Sequence, residues 1–144
     1  ANRQVQVDGA LLHIAGYSVR LTADQETLQG QVAKTVDDSG IGGLPNKRLH
    51  ELHAEPEVSA LLRLLESEGR VRSIAGIGWV SRQSMDQLRG LLKTHFDADE
   101  ALSPGVFKEL TGLTRRAAIP LLEWLDGEKW TRRQGNERSR GTLL

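Results

Sequence analysis

The sequence predicts a mainly α fold with small β-hairpins, an α+β arrangement in which one unit of helix, short helix, helix and hairpin occurs twice. Three observations carry this. Val58, Leu61, Leu62 and Leu65 fall at the i, i+3, i+4, i+7 spacing of a helix that buries one face, and Ala118, Leu121, Leu122 and Leu125 repeat the pattern downstream. Each stripe leaves through a matching segment, Glu68-Gly-Arg-Val-Arg in the first copy and Glu128-Lys-Trp-Thr-Arg in the second. Each exit then runs into a short strand, a turn and a second strand.

In the first copy, Leu28, Val32 and Val36 lie four residues apart on a helix opened by Thr22 or Asp24, whose side chain can cap free backbone amides. Asp38 to Pro45, rich in glycine, is a loop, and Asn46 to Leu52 supplies the short helix. Pro56 is placed in the first turn of the next helix, where a missing N–H costs nothing. Val71, Ile74, Ile77, Trp79 and Val80 around Gly76 and Gly78 form the hairpin. Ser81 to Ser84 reads as a short polar connection of undetermined stiffness.

In the second copy, Ser84 to Phe96 carries Leu88, Leu91, Leu92 and Phe96, and Leu102-Ser-Pro is a small strand or turn. Val106, Phe107 and Leu110 mark the short helix, Thr111-Gly-Leu the tight turn, and Thr114 the cap of the stripe helix. Pro120 removes one hydrogen bond inside that helix and predicts a local kink. Gly135-Asn136, residues that accept positive φ, turn the last hairpin. Helix, short helix, helix, hairpin is the winged-helix order, so the chain reads as tandem winged-helix domains. Residues 21–82 form one module and 83–144 a C-terminal one, while residues 1–20 are a strand remnant of a preceding module, so the chain is read as a fragment.

Composition narrows the function. Cysteine is absent among the 144 residues, so no disulfide framework or thiolate zinc site is available, as in a reducing compartment. No apolar run approaches the ~20 residues that span a bilayer, and the N-terminus lacks a signal pattern, so a cytoplasmic protein with no membrane partner is expected. A formal net charge of zero argues against coating nucleic acid by bulk positive field. The distribution is uneven, however. Acidic residues outnumber basic ones through Ser81, whereas Lys129, Arg132, Arg133, Arg138 and Arg140 face Glu137 alone near the C-terminus.

That cluster points to one small, oriented contact with nucleic acid. Arg115 and Arg116 open the second stripe helix, where cations oppose the helix dipole and favour a bound phosphate. Arg132 and Arg133 are neighbours on a strand and point to opposite faces, so one can meet an unstacked base while the other grips backbone. Arg138 and Arg140 return from the wing tip as reinforcement, and Gln134 and Asn136 can bond base edges. The alternative is a solvated charged hairpin whose cations only keep a strand edge soluble. Trp124 and Trp130 are stacking candidates, but their place beside the leucine stripe favours core packing.

Catalysis finds little support. His50 and His53 are three apart, not at zinc-peptidase spacing, and read as solvated surface residues. Gly40, Gly42 and Gly43 lack the Gly-Lys-Ser/Thr ending of a nucleotide-phosphate loop, and Asp37-Asp38 is a helix end. The expectation is a non-enzymatic chain with no cofactor and no metal.

From Phe107 to Asp126, and on through Trp130-Thr-Arg-Arg-Gln-Gly-Asn-Glu-Arg138, the sequence resembles the last winged helix of the bacterial selenocysteine-specific elongation factor (SelB), closely over the final third and more loosely before it. The resemblance implies an mRNA-binding region that grips the selenocysteine-insertion (SECIS) hairpin of a selenoprotein mRNA beside an in-frame UGA. It implies RNA contacts at Arg115, Arg116, Arg132, Arg133 and Asn136, the last often Asp in that family. In the full-length context it further implies selenocysteinyl-tRNA and the ribosome as partners, with GTP and magnesium held only by an N-terminal GTPase, and a monomeric fragment. The residues alone leave two alternatives: a winged-helix DNA-binding transcription regulator, whose stripe helix enters a B-DNA major groove, and a protein-interaction scaffold built on the acidic first copy.

Overall fold

The computed structural model describes residues 20–144; the strand expected within residues 1–20 lies, but for Arg20, outside the described residues. Six helices and two hairpins follow in the order helix, short helix, helix, hairpin, twice over. The first set is α1 (Ala23–Asp38), α2 (Asn46–Leu52), α3 (Val58–Ser67), β1 (Val71–Ile74) and β2 (Gly78–Ser81). The second is α4 (Arg82–Ala98), α5 (Pro104–Thr111), α6 (Arg115–Gly127), β3 (Thr131–Gln134) and β4 (Glu137–Arg140).

Local signals set most boundaries. Thr22 caps α1 in a reciprocal box: its hydroxyl accepts from the Gln25 amide at 3.1 Å and the Gln25 side chain accepts from the Thr22 amide at 2.9 Å. Ser103 and Thr114 cap α5 and α6, and Gly112 ends α5 in the left-handed region at φ 72°. Pro56 lies in the turn before α3, two residues ahead of its first helical residue, rather than inside the helix. The two exits match in detail. Glu68 and Glu128 share φ −82° and ψ −3°, and the next residue is left-handed in both copies, Gly69 at φ 75° and Lys129 at φ 63°. Lysine tolerates that conformation at a local cost of about 1 kcal/mol.

Each hairpin gains a third edge from the loop before its short helix. Leu44 exchanges both backbone bonds with Trp79 at 2.9 and 2.8 Å, and Leu102 does the same with Arg138 at 2.7 and 2.8 Å. β4 is therefore flanked on both sides, by β3 and by Leu102, and is the inner strand of this small sheet, with β3 at its edge.

Two apolar clusters hold the fold. Leu28, Val32, Val36, Leu49, Val58, Leu61, Leu62, Leu65 and Val71 make the first. The second, centred on Leu88, Leu92, Leu102, Phe107, Leu121, Leu122 and Leu125, also takes in Ile74, Ile77 and Val80 from the first hairpin. Each fully buried leucine contributes roughly 1.5–3 kcal/mol. The apolar face of the first wing is thus spent on the second module. Gly76 at its tip permits this, because a Cβ there would lie 2.9 Å from Pro120 Cβ.

No flexible connection separates the two sets. β2 ends at Ser81 and α4 begins at Arg82, so the expected linker is absent. Ser81 is buried; its hydroxyl donates to Asp37 Oδ1 at 2.7 Å and accepts from the Ser84 amide at 3.1 Å, tying α1, β2 and α4 at one atom. Ser81→Ala should lower the free energy of unfolding by about 1–2 kcal/mol through loss of a cap and of a bond to a carboxylate. Urea denaturation measures this, and an unchanged midpoint would show that the junction does not depend on that hydroxyl.

Candidate nucleic-acid interface

The final hairpin pairs Thr131 with Arg140, Arg132 with Ser139, Arg133 with Arg138 and Gln134 with Glu137. Directly opposed residues share a face, so Thr131, Arg133, Arg138 and Arg140 lie on one side and Arg132, Gln134, Glu137 and Ser139 on the other. Gly135 takes the left-handed turn position at φ 66°; Asn136 does not share it.

Asp126, in the last turn of α6, fixes this hairpin to the helix. Its Oδ1 accepts from the Thr131 hydroxyl at 2.6 Å and from Arg138 Nε at 3.4 Å, and its Oδ2 accepts from Arg138 Nη2 at 2.9 Å. The Arg138 side chain is only 5% exposed. Arg138, expected to reinforce the contact surface, lines the groove from the doubly flanked strand but is largely buried and paired with Asp126. Its part is to hold the wing. Arg140, by contrast, is exposed, with Nη1 3.7 Å from a carboxylate oxygen of the exposed Asp97.

What remains is a groove of about 460 Å³ between α5, α6 and the wing. Arg115 lines it from the first turn of α6, Arg133 and Asn136 from the wing, and Lys108 from α5. Arg115, Ile119 and Glu123 occupy one stripe of α6, four residues apart, which places an arginine and a carboxylate along the same wall. Among the described residues, Arg115, Arg116, Arg132 and Arg133 have no carboxylate within ion-pairing distance, and all four are exposed. Arg133 is steadied by its own turn, Nε donating to the Gly135 carbonyl at 3.1 Å.

The six candidates therefore divide. Arg115, Arg133, Asn136 and the largely buried Arg138 line the groove; Arg116 is exposed beside Arg115 but is not one of the groove's lining residues; Arg132 points to the other face of the wing and shares a shallow hollow with Lys129, Thr142 and Arg133. Lys108 was not among the expected contacts. Its signal was its place one turn before Gly112, which ends α5 at the groove. Chemically, the groove offers cations for phosphate, an amide for base edges and, in Glu123, an acceptor for an exocyclic amino group.

Trp124 and Trp130 are not core residues in the full sense. Both are half-buried, packed edge to face with ring centres 5.7 Å apart, and they look onto the junction of the two modules rather than the groove. His53 is also not a freely solvated histidine: its Nε2 lies 2.7 Å from the Thr35 hydroxyl. Among the described residues no cluster of His, Cys, Asp and Glu is arranged to hold a metal, and no helix is long and apolar enough to cross a membrane. Arg138→Ala, which strands Asp126, should cost about 3 kcal/mol of stability. Arg133→Ala should stay within about 0.5 kcal/mol. Chemical denaturation of the two variants separates them, and equal stabilities would remove the structural role given to Arg138.

Residues 94–140 match the family described as elongation factor SelB, winged helix. The chain is 31% identical over 137 residues to the selenocysteine-specific elongation factor of Desulfomicrobium baculatum, an alignment that covers 94% of this chain and 22% of the relative, so the chain spans about a fifth of that protein's length. In fold it is similar to the mRNA-binding domain of elongation factor SelB from E. coli, solved in complex with SECIS RNA. The TM-score is 0.67 at 18% identity, over 84% of this chain and 99% of that one. In its helices, its paired wings and these matches the chain is similar to the selenocysteine-specific elongation factor (SelB) family, and residues 94–140 carry the winged helix that the family model describes.

Proposed function

We propose that the last winged helix binds an mRNA hairpin of the selenocysteine-insertion type through the groove between α5, α6 and the wing, and so directs decoding of UGA as selenocysteine. The observation that carries this is the meeting of Arg115 from a helix start and Arg133 from a wing in one groove, both exposed and without carboxylate partners. Loops and bulges of RNA expose phosphates and unstacked bases to such a helix tip and wing, whereas the major groove of an A-form stem is too deep and narrow for a helix. Arg115, Arg133 and Lys108 hold phosphate, Asn136 and Glu123 address base edges, and Arg116 and Arg132 extend the field on either side.

The first winged helix acts as a spacer and orienting element. In this reading the chain is the binding region of a longer cytoplasmic factor, monomeric by itself and without catalytic chemistry or cofactor. The GTPase, its GTP and magnesium, and the contacts with selenocysteinyl-tRNA and the ribosome reside elsewhere in that protein.

Fluorescence anisotropy with a blunt-ended RNA hairpin bearing a loop guanine and a bulged base tests the reading. Arg115→Ala and Arg133→Ala should each weaken binding about tenfold, the loss of one charge-assisted contact. Arg70→Ala, beside the first wing and 3.5 Å from Glu68, should change it by less than about twofold. With about four phosphates neutralised, log affinity should fall against log salt with a slope of roughly −3. Tighter binding to duplex DNA of the same sequence would overturn the proposal in favour of a DNA-binding regulator, and no binding at low salt would leave only an interaction scaffold.

A further inference from the structure

A second concavity lies where the two modules meet. It has a volume of about 540 Å³, the size of a small-ligand site, and three arginines and two tryptophans line it. The Arg72 guanidinium sits 5.3 Å from the ring centre of Trp124, and that of Arg89 lies 4.7 Å from Trp130. Arg72 is held by Glu128 at 3.1 Å. Arg82 and Arg89 have no carboxylate within ion-pairing distance among the described residues.

Arg89 is the unusual member. One terminal nitrogen, Nη2, donates to the Leu143 carbonyl at 2.6 Å, yet its Nε is buried with no hydrogen-bond partner. A buried cationic donor left unpaired is costly, and such groups in native proteins call for an acceptor. Arg82, in the first turn of α4, is exposed on the same wall. Flat guanidinium and indole surfaces beside unpaired cations are the ingredients of a site for single-stranded nucleic acid, where bases stack and phosphates pair.

We propose that this cleft between the modules is a second RNA site that takes an unpaired nucleotide, with phosphate on Arg82 and Arg89 and the base against the Arg72–Trp124 stack. It goes beyond the hairpin reading and does not rest on it. The cleft and the groove use different faces of α6: Arg115, Ile119 and Glu123 form one wall, while Trp124 is rotated by about 100° from Glu123. Two carboxylates, Glu66 and Asp86, also line the cleft; they oppose the many carboxylates of an acidic peptide but accept from base amino and ribose hydroxyl groups, which favours a single nucleotide as occupant.

Intrinsic tryptophan fluorescence of the 144-residue chain reads the site directly. An unstructured RNA of about eight nucleotides, added at low salt, should quench it saturably. Arg82→Glu should weaken that binding at least about fivefold, and Arg82→Gln, which keeps the aliphatic stem, should weaken it less but in the same direction. Arg133→Ala should leave it unchanged within about twofold, and an abasic strand of equal length should bind several-fold more weakly. The absence of saturable quenching would overturn the proposal. So would equal losses from Arg133→Ala and Arg82→Glu, which place the strand in the groove, or equal quenching by oligo-aspartate, which reduces the cleft to a general anion trap.

Discussion

The Asp126 carboxylate is the point on which the geometry of the last module turns. It receives Thr131 from the first wing strand and Arg138 from the second, and it belongs to the helix that carries Arg115. A two-stranded hairpin is at best marginally stable alone. Its tip has a fixed position relative to α6 only because this carboxylate and the Leu102 bridge clamp both strands. Arg133 therefore stands opposite Arg115 across a groove rather than sampling solvent. The same clamp engages Arg138, so one arginine of the wing holds the hairpin that carries another.

The modules are joined with similar economy. Ser81 ends one and caps the first helix of the next, and the apolar side of the first wing, Ile74, Ile77 and Val80, packs into the second core. Chain after the last strand also returns to this junction. The Gly141 and Leu143 amides bond the Trp130 and Lys129 carbonyls, and the Leu143 carbonyl receives Arg89. This packing supports the spacer role proposed for the first module, because the two modules share an apolar face and a buried cap.

The helices were legible because burial of one face imposes the 3.6-residue period, and Val58 to Leu65 and Ala118 to Leu125 show it plainly. Caps and turns were legible where a single residue type answers a local need, as at Thr114, Gly112 and Gly135. Partners distant in sequence were not. An apolar hairpin face announces that it is buried but not against what, so the destination of Ile74 and Ile77 was hidden, as was the position of Trp124 and Trp130 on the junction. Arg138 looked equivalent to Arg133 because both are wing arginines. Only β4's flanking by Leu102, and Asp126 beneath it, distinguish an enclosed cation from a free one. Arg115 and Arg133 line one groove with Lys108 and the largely buried Arg138, whereas Arg132 lies in a separate hollow that Arg133 also borders.

The account therefore rests on a remote constraint, that a carboxylate which touches no RNA sets the reach of an arginine that does. A double-mutant cycle on hairpin affinity measures it directly, with Asp126→Asn keeping the side-chain size and an acceptor for Thr131. Asp126→Asn alone should weaken binding, and in its background Arg133→Ala should cost markedly less than in the parent, a coupling of about 1 kcal/mol. Losses that simply add would contradict the account, because they would show that Arg133 finds the RNA without the clamp.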